Sequence, residues 1–293
     1  MGQLFGRLVT LAAKWRRPIA VVVAVLFIAS AVAALVALDR YMQAAIGPRT
    51  GPLVLEEIPA WADRSNELIQ KVIAAAGGVR LPLTEDLAAH LASRLGEVAW
   101  LDQVQVRLTP LDVRVKARWR RPAAVLEIGG SRFYVDQDLV VLDFIEIPGL
   151  DVKKIEGVEW LGKPTIGQVL PCEDLRQGLE LLALLESMDM TTCPTSPLLS
   201  QIDRIDVSNY LGRRDQRSAH LAMYAKDGTK IIWGAEVGSA ARYLEASEQE
   251  KLARLYSFYK ESGTLIGLVK YIDLRPAQYQ LPTPMDRYQI VPH

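Results

Sequence analysis

Leu101-Asp102-Gln103-Val104-Gln105-Val106-Arg107-Leu108-Thr109-Pro110-Leu111-Asp112-Val113-Arg114-Val115-Lys116-Ala117-Arg118-Trp119 is the stretch that decides the fold. Val104, Val106 and Leu108 alternate with Gln105 and Arg107, and Val113, Val115, Ala117 and Trp119 alternate with Arg114, Lys116 and Arg118. A period of two on both sides of Thr109-Pro110 and Asp112 predicts a hairpin with one buried face. Upstream the period is helical. Ser65 is placed to cap a helix bearing Leu68, Ile69, Val72, Ile73 and Ala76, stopped by Gly77-Gly78. Thr84 is placed to cap a second helix with Leu87, Ala88, Leu91 and Leu95, stopped near Gly96. Leu53 to Ile58 is a short strand candidate, so residues 53–122 read as β-α-α-β-β, ending at Arg120-Arg121-Pro122.

Downstream, residues 123–275 are strand-rich. Ala124–Ile128, Arg132–Val135 and Leu139–Leu142 read as short strands, with Gly129-Gly130 and Asp136-Gln137-Asp138 as turns. A helix is expected over Asp174–Met188. Ile202–Val207, His220–Tyr224 and Lys230–Trp233 are further strands, with Lys226-Asp227-Gly228 as a hairpin turn. Ser247 and Glu250 form a capping box ahead of the stripe Leu252, Leu255, Tyr256 and Tyr259, and Gly263 closes that helix. Val269–Leu274 is the last clear strand. The tail 276–293 carries Pro276, Pro282, Pro284 and Pro292, which suits no central strand. The fold class expected is α+β, the second half mainly antiparallel.

At the other end, Ile19 to Leu38 contains one polar residue, Ser30. An apolar helix of this length matches a hydrocarbon core ~30 Å thick at ~1.5 Å per residue. Arg7, Lys14, Arg16 and Arg17 precede it with no acidic residue, which predicts a cytoplasmic tail over residues 1–18 and export of the rest. Lys14, Trp15, Arg16 and Arg17 form the expected membrane-interface anchor. Ala29-Ser30-Ala31 mimics a signal-peptide cleavage site, but such peptides have apolar regions of only ~7–15 residues, which favours an uncleaved span over 19–38. Residues 39–52, with Gly47-Pro48 and Gly51-Pro52, read as a linker.

Four of the 34 basic residues precede the span, which leaves the exported part with 30 against 34 acidic ones and no basic field for nucleic acid. Catalysis needs a positioned base or nucleophile. Of the three histidines, His90 and His220 read as surface or half-buried structural residues, and His293 is the last residue. No zinc spacing, P-loop, Gly-x-Gly-x-x-Gly cradle or Gly-x-Ser-x-Gly elbow occurs, so no catalytic residue and no cofactor is expected. Asp136, Asp138 and Asp143 lack the glycine and distal glutamate of a calcium loop and read as turn residues. Cys172 and Cys193 flank the expected helix. Its ends are ~22 Å apart, and Asp189 to Cys193 reaches back only ~17 Å when extended, so unpaired thiols are expected.

The order of these elements resembles the FtsQ/DivIB family of bacterial cell-division proteins, which have a short cytoplasmic tail, one span, a POTRA domain and a strand-rich domain. Trp100-Leu101-Asp102-Gln103-Val104-Gln105-Val106, Val113-Arg114-Val115 and Arg121-Pro122-Ala123-Ala124 are similar to the family's POTRA hairpin and the step into its next domain. Phe133-Tyr134-Val135-Asp136-Gln137-Asp138-Leu139-Val140 is similar to its next hairpin. Asp227-Gly228-Thr229-Lys230-Ile231-Ile232-Trp233-Gly234, the capped helix and Tyr271-Ile272-Asp273-Leu274-Arg275 follow in family order. The tail departs from the family, because it lacks Tyr-Pro, Gly and an alternating last strand.

The resemblance implies a non-enzymatic, single-span scaffold of the divisome. Its exported domains would bind FtsB and FtsL and, through them, regulate septal peptidoglycan synthesis. The expected partner contacts are Lys270, Tyr271, Ile272, Asp273 and Arg275, on an edge open to strand addition. Asp273 and Arg275 point to one face, where an ion pair is the simpler reading. Arg114, Lys116 and Arg118 form the best basic patch, either a solvated face or a contact for anionic lipid or an acidic partner. The rival readings are a POTRA-bearing component of envelope transport or assembly and, last, an exported hydrolase.

Overall fold

The computed structural model describes residues 25–41, 49–84 and 86–277. Residues 25–41 form helix α1. Among the described residues no helix is long and apolar enough to cross a membrane. Residues 19–24 of the expected span, Lys14, Trp15, Arg16 and Arg17, and the tail from 278 onward lie outside the described residues. The fold is mixed α+β, built on two sheets.

The first half runs β1 (Thr50–Glu56), α2 (Ala60–Asp63), α3 (Asn66–Ala76), β2 (Arg80–Pro82), α4 (Leu87–Gly96), β3 (Leu101–Leu108) and β4 (Val113–Trp119). The sheet order is β2-β1-β4-β3. Ser65 Oγ accepts from the Leu68 amide at 3.3 Å, and Gly77 ends α3 at φ 102°, a left-handed conformation that suits glycine. The hairpin is as its period dictates: Val113 and Val115 are buried while Arg114, Lys116 and Arg118 face solvent. Three expectations need correction. Asp86, with no side-chain cap, precedes α4, and Thr84 offers only its carbonyl to the Leu87 amide. β1 begins inside the stretch read as linker, because Thr50, Gly51 and Pro52 pair with Pro82, Leu81 and Arg80. Strand β2 was not foreseen, since three residues with Leu81 alone buried show no period.

The second half runs β5 (Ala124–Ile128), β6 (Ser131–Val135), β7 (Val141–Asp143), β8 (Lys153–Glu156), α5 (Glu173–Thr192), β9 (Ile202–Asp206), β10 (Leu221–Ala225), β11 (Lys230–Gly234), α6 (Glu248–Ser262) and β12 (Tyr271–Asp273). Its order is β12-β11-β10-β9-β8-β5-β6-β7. The sheet is mixed rather than mainly antiparallel, with β5–β8, β8–β9 and β11–β12 parallel. Helix α5 is the crossover between β8 and β9 and α6 that between β11 and β12, while the chain passes from β5 to β8 through β6 and β7. Strand β8 escaped the sequence because Lys153, Lys154 and Glu156 surround its apolar Ile155. Helix α5 is longer than expected and holds Cys172 and Cys193, both free thiols, at opposite ends ~30 Å apart.

The apolar stripes of α5 and α6 share one core with the sheet. The Tyr256 hydroxyl donates to Asp189 Oδ1 at 2.8 Å or Leu185 O at 2.9 Å, and burial pushes it well above the usual phenol range, helped by Asp189. The Ser247–Glu250 capping box forms as read, with the Glu250 amide 3.3 Å from Ser247 Oγ and the Ser247 amide 2.8 Å from Glu250 Oε2.

Tyr134, Val140, Leu142, Ile145 and Ile147 belong to the core of the first half, so the two sheets are joined through β6 and β7. Trp100 centres the joint. Its ring meets Tyr134 edge-on at 6.0 Å, and its Nε1 donates to Asp143 Oδ1 at 2.9 Å. Lys71 reaches the same carboxylate at 2.6 Å.

Candidate partner-binding edge

Strand β12 is the last strand of the eight-stranded sheet, parallel to β11 in the register Lys230↔Tyr271, Ile231↔Ile272 and Ile232↔Asp273. Lys270 O accepts from the Lys230 amide at 3.3 Å, and the Leu274 amide donates to Ile232 O at 3.0 Å. By parity Ile272 directs both backbone groups toward β11, and Tyr271 and Asp273 direct theirs to the side away from β11. Strand β12 is shorter than the expected Val269–Leu274, because Val269 O is taken by Thr229 Oγ1 at 3.1 Å. Of the expected contacts, Lys270 and Tyr271 are exposed, Asp273 and Arg275 are half-buried, and Ile272 is buried.

Asp273 and Arg275 pair as read. Arg275 Nη2 lies 2.7 Å from Asp273 Oδ2, and the Arg275 amide donates to Asp273 Oδ1 at 3.0 Å. Burial works to raise the Asp273 carboxyl, but the hydrogen bonds from Arg275, its charge and that of Lys251 outweigh it and hold the group below the usual range. The Asp273 hydrogen bond raises Arg275 in turn.

Beneath the strand lies an ion pair that the sequence did not disclose. Lys251 Nζ meets Glu245 Oε2 at 2.6 Å and stands 5.1 Å from the Trp233 ring centroid. Glu245 also accepts from the Ala235 amide at 3.0 Å, and the next residue, Ala246, donates its amide to Arg275 O at 2.9 Å. The end of β12 is thereby fastened to the entry of α6. Gly234 at φ 105° leaves the room that the Glu245 carboxylate fills; its Cβ would come within 2.1 Å of Oε2. A glycine closing a strand was the only sequence signal.

Arg114, Lys116 and Arg118 share one face, but their charges are compensated. Arg114 meets Asp112 at 3.1 Å, Lys116 meets Glu57 at 2.5 Å, and Arg118 meets Asp102 at 2.5 Å and Asp138 at 3.1 Å. Of the two readings, the solvated face of the hairpin agrees with this pairing, and the charges left for an anionic surface are few. His220 is buried, not half-exposed, with Nδ1 2.6 Å from Glu236 Oε1. His90 is exposed and its Nδ1 lies 2.8 Å from Asp86 O.

A cleft of about 540 Å³ opens between the halves over Leu179 and Leu182. Its charges serve one another, Arg120 meeting Asp136 at 2.8 Å and Asp138 at 3.3 Å. Among the described residues no cluster of three His, Cys, Asp or Glu side chains is set to hold a metal ion. No protein-family model matches the chain, and no curated protein sequence matches it.

Proposed function

We propose that this protein is a non-enzymatic, single-span scaffold of the bacterial cell-division complex, similar to FtsQ. The observation that carries the proposal is the sheet edge at β12, preceded by the capped helix α6 and anchored by the Asp273–Arg275 pair, with these elements following one another in family order. The anchor is residues 19–38, the first half is the POTRA domain, and the second half presents the edge. A partner strand, from an FtsB-like protein associated with an FtsL-like one, adds beside β12. Backbone hydrogen bonds supply affinity and alternate side chains supply register. Through these partners the scaffold regulates the septal peptidoglycan synthase.

Two measurements test this. A fluorescent protein fused ahead of Met1 should form a band at the constriction site, whereas a uniform envelope signal throughout the cell cycle favours transport or assembly. The edge is tested by comparing Asp273→Pro with Asp273→Ala, since both lose the ion pair and only proline removes an amide on the open side. Proline should weaken FtsB capture at least about fivefold beyond alanine, one strand hydrogen bond with its desolvation being worth roughly 1–3 kcal/mol. Equal capture would remove this edge from consideration.

A further inference from the structure

We infer that the β3–β4 hairpin tip is a second membrane contact, which seats the first half against an anionic bilayer surface. This rests on the anchor reading above. Leu111, at the tip, is 80% exposed. The chain enters the described body beside it. The Leu83 amide donates to Arg49 O at 2.7 Å, and a Cβ on Gly51 would come within 2.9 Å of Leu111 O. Eight residue steps separate Tyr41, at the end of α1, from Arg49. Such a segment spans at most ~28 Å fully extended. The tip is therefore the part of the body that the tether keeps nearest the bilayer.

The charge around the tip suits that surface. Arg49, Arg80 and Arg107 are exposed. Arg80 stands opposite Pro52, next to the Leu53↔Val113 pair, and Arg107 opposite Arg114, so both lie within two residue steps of the tip's flanking strands. Arg114 is neutralised by Asp112 and Glu56, whereas no carboxylate among the described residues lies within 4 Å of Arg49, Arg80 or Arg107. An exposed leucine with three uncompensated guanidinium groups is the composition of an interfacial contact, the apolar side chain entering the headgroup boundary and the arginines meeting anionic headgroups.

The full chain is inserted into vesicles with roughly a third of the lipid anionic. A solvatochromic dye is carried on Leu111→Cys in a Cys172→Ala, Cys193→Ala background. The same dye on Leu161→Cys, a position 95% exposed in the second half, is the reference. Lipid-borne quencher should quench position 111 several-fold more than position 161, and R49E, R80E and R107E together should abolish the difference, each arginine changing the seated population about fivefold. Equal quenching at both sites with the chain resisting alkaline carbonate overturns this inference alone. Release of the whole chain by carbonate overturns the anchor reading and this inference with it. A photoreactive residue at position 111 of the otherwise native chain gives an independent readout. A lipid adduct supports the contact, and an adduct to an acidic protein in its place refutes it.

Discussion

Removing the Glu245 carboxylate should be far more damaging than removing the Lys251 ammonium, although the two are partners. Lys251 is 1% exposed and Glu245 13% exposed, at 2.6 Å. Glu245→Ala leaves a buried cation, a loss of ~3–5 kcal/mol, and it orphans the Ala235 amide, worth a further ~1–3 kcal/mol. The Trp233 face offsets up to ~2 kcal/mol of this. The net is about 4 kcal/mol. Lys251→Met keeps the volume, deletes the charge, and leaves a carboxylate still bound to Ala235 N and touching water, so the loss is ~1–2 kcal/mol. The double variant Glu245→Gln with Lys251→Met should fall within ~1 kcal/mol of the native protein. Urea unfolding followed by tryptophan fluorescence measures all of these, Trp233 being a buried reporter beside the pair. A coupling energy below ~0.5 kcal/mol in the cycle closed by the single variant Glu245→Gln, or equal losses for Glu245→Ala and Lys251→Met, would refute the reasoning.

Gly157→Ala should destabilise by ~3 kcal/mol or more, because φ is 82° and the added Cβ would stand 2.4 Å from Ser208 Cβ; thermal unfolding reads this as a drop of several degrees. Asp227 accepts from the Thr229 and Gly267 amides at 2.9 and 2.7 Å. Burial works to raise its carboxyl, but these bonds outweigh it and hold it below the usual carboxylate range. A depressed carboxyl contributes stability that is complete above its unfolded value and lost as pH falls through the folded one, so Asp227→Asn should flatten the loss of stability below pH ~4. The chain exposed to oxidant while folded, then denatured with a thiol reagent present, should titrate for two thiols, because α5 holds Cys172 and Cys193 apart; a single disulfide by mass spectrometry would contradict the helix.

What the sequence made legible was whatever lies on one element. The hairpin at Val104–Trp119, the Ser65 cap and the Ser247–Glu250 box each follow from spacings of two to four residues, and all formed. Strands β2 and β8 are too short or too charged to show a period. The parallel pairs could not be seen because strand order depends on where crossovers land, not on local pattern. The partners of basic residues were hidden for the same reason. Arg114, Lys116 and Arg118 read as the solvated face of their own strand, which they are, but their partners come from the β1 end, the β4 start, β3 and the Asp138 turn. Lys251 has the spacing of a solvated helix residue, and only the fold sets Glu245 and Trp233 around it. At the candidate site, the Asp273–Arg275 pair was readable from a spacing of two, but the fastening of Arg275 to Ala246 was not.

The two edges of the large sheet are not equivalent, and that asymmetry limits how a partner strand can join. At β7 the edge is closed. The Val141 amide donates to Gln168 O at 2.9 Å, the Gly167 amide donates to Val141 O at 2.7 Å, and Leu142 belongs to the core shared with the first half. Strand β12 lies seven strand spacings away, ~34 Å across the sheet. Strands β5, β8, β9, β11 and β12 run the same way. A partner added at β12 therefore meets only the second half, and its pairing leaves the Trp100 joint undisturbed. Edge strands of three residues present few backbone groups, which limits unwanted pairing. Selective addition at β12 must then draw on side chains flanking the strand, Lys270 on one side and the Asp273–Arg275 pair on the other. Swapping those charges should change which partner binds before it changes whether the domain folds.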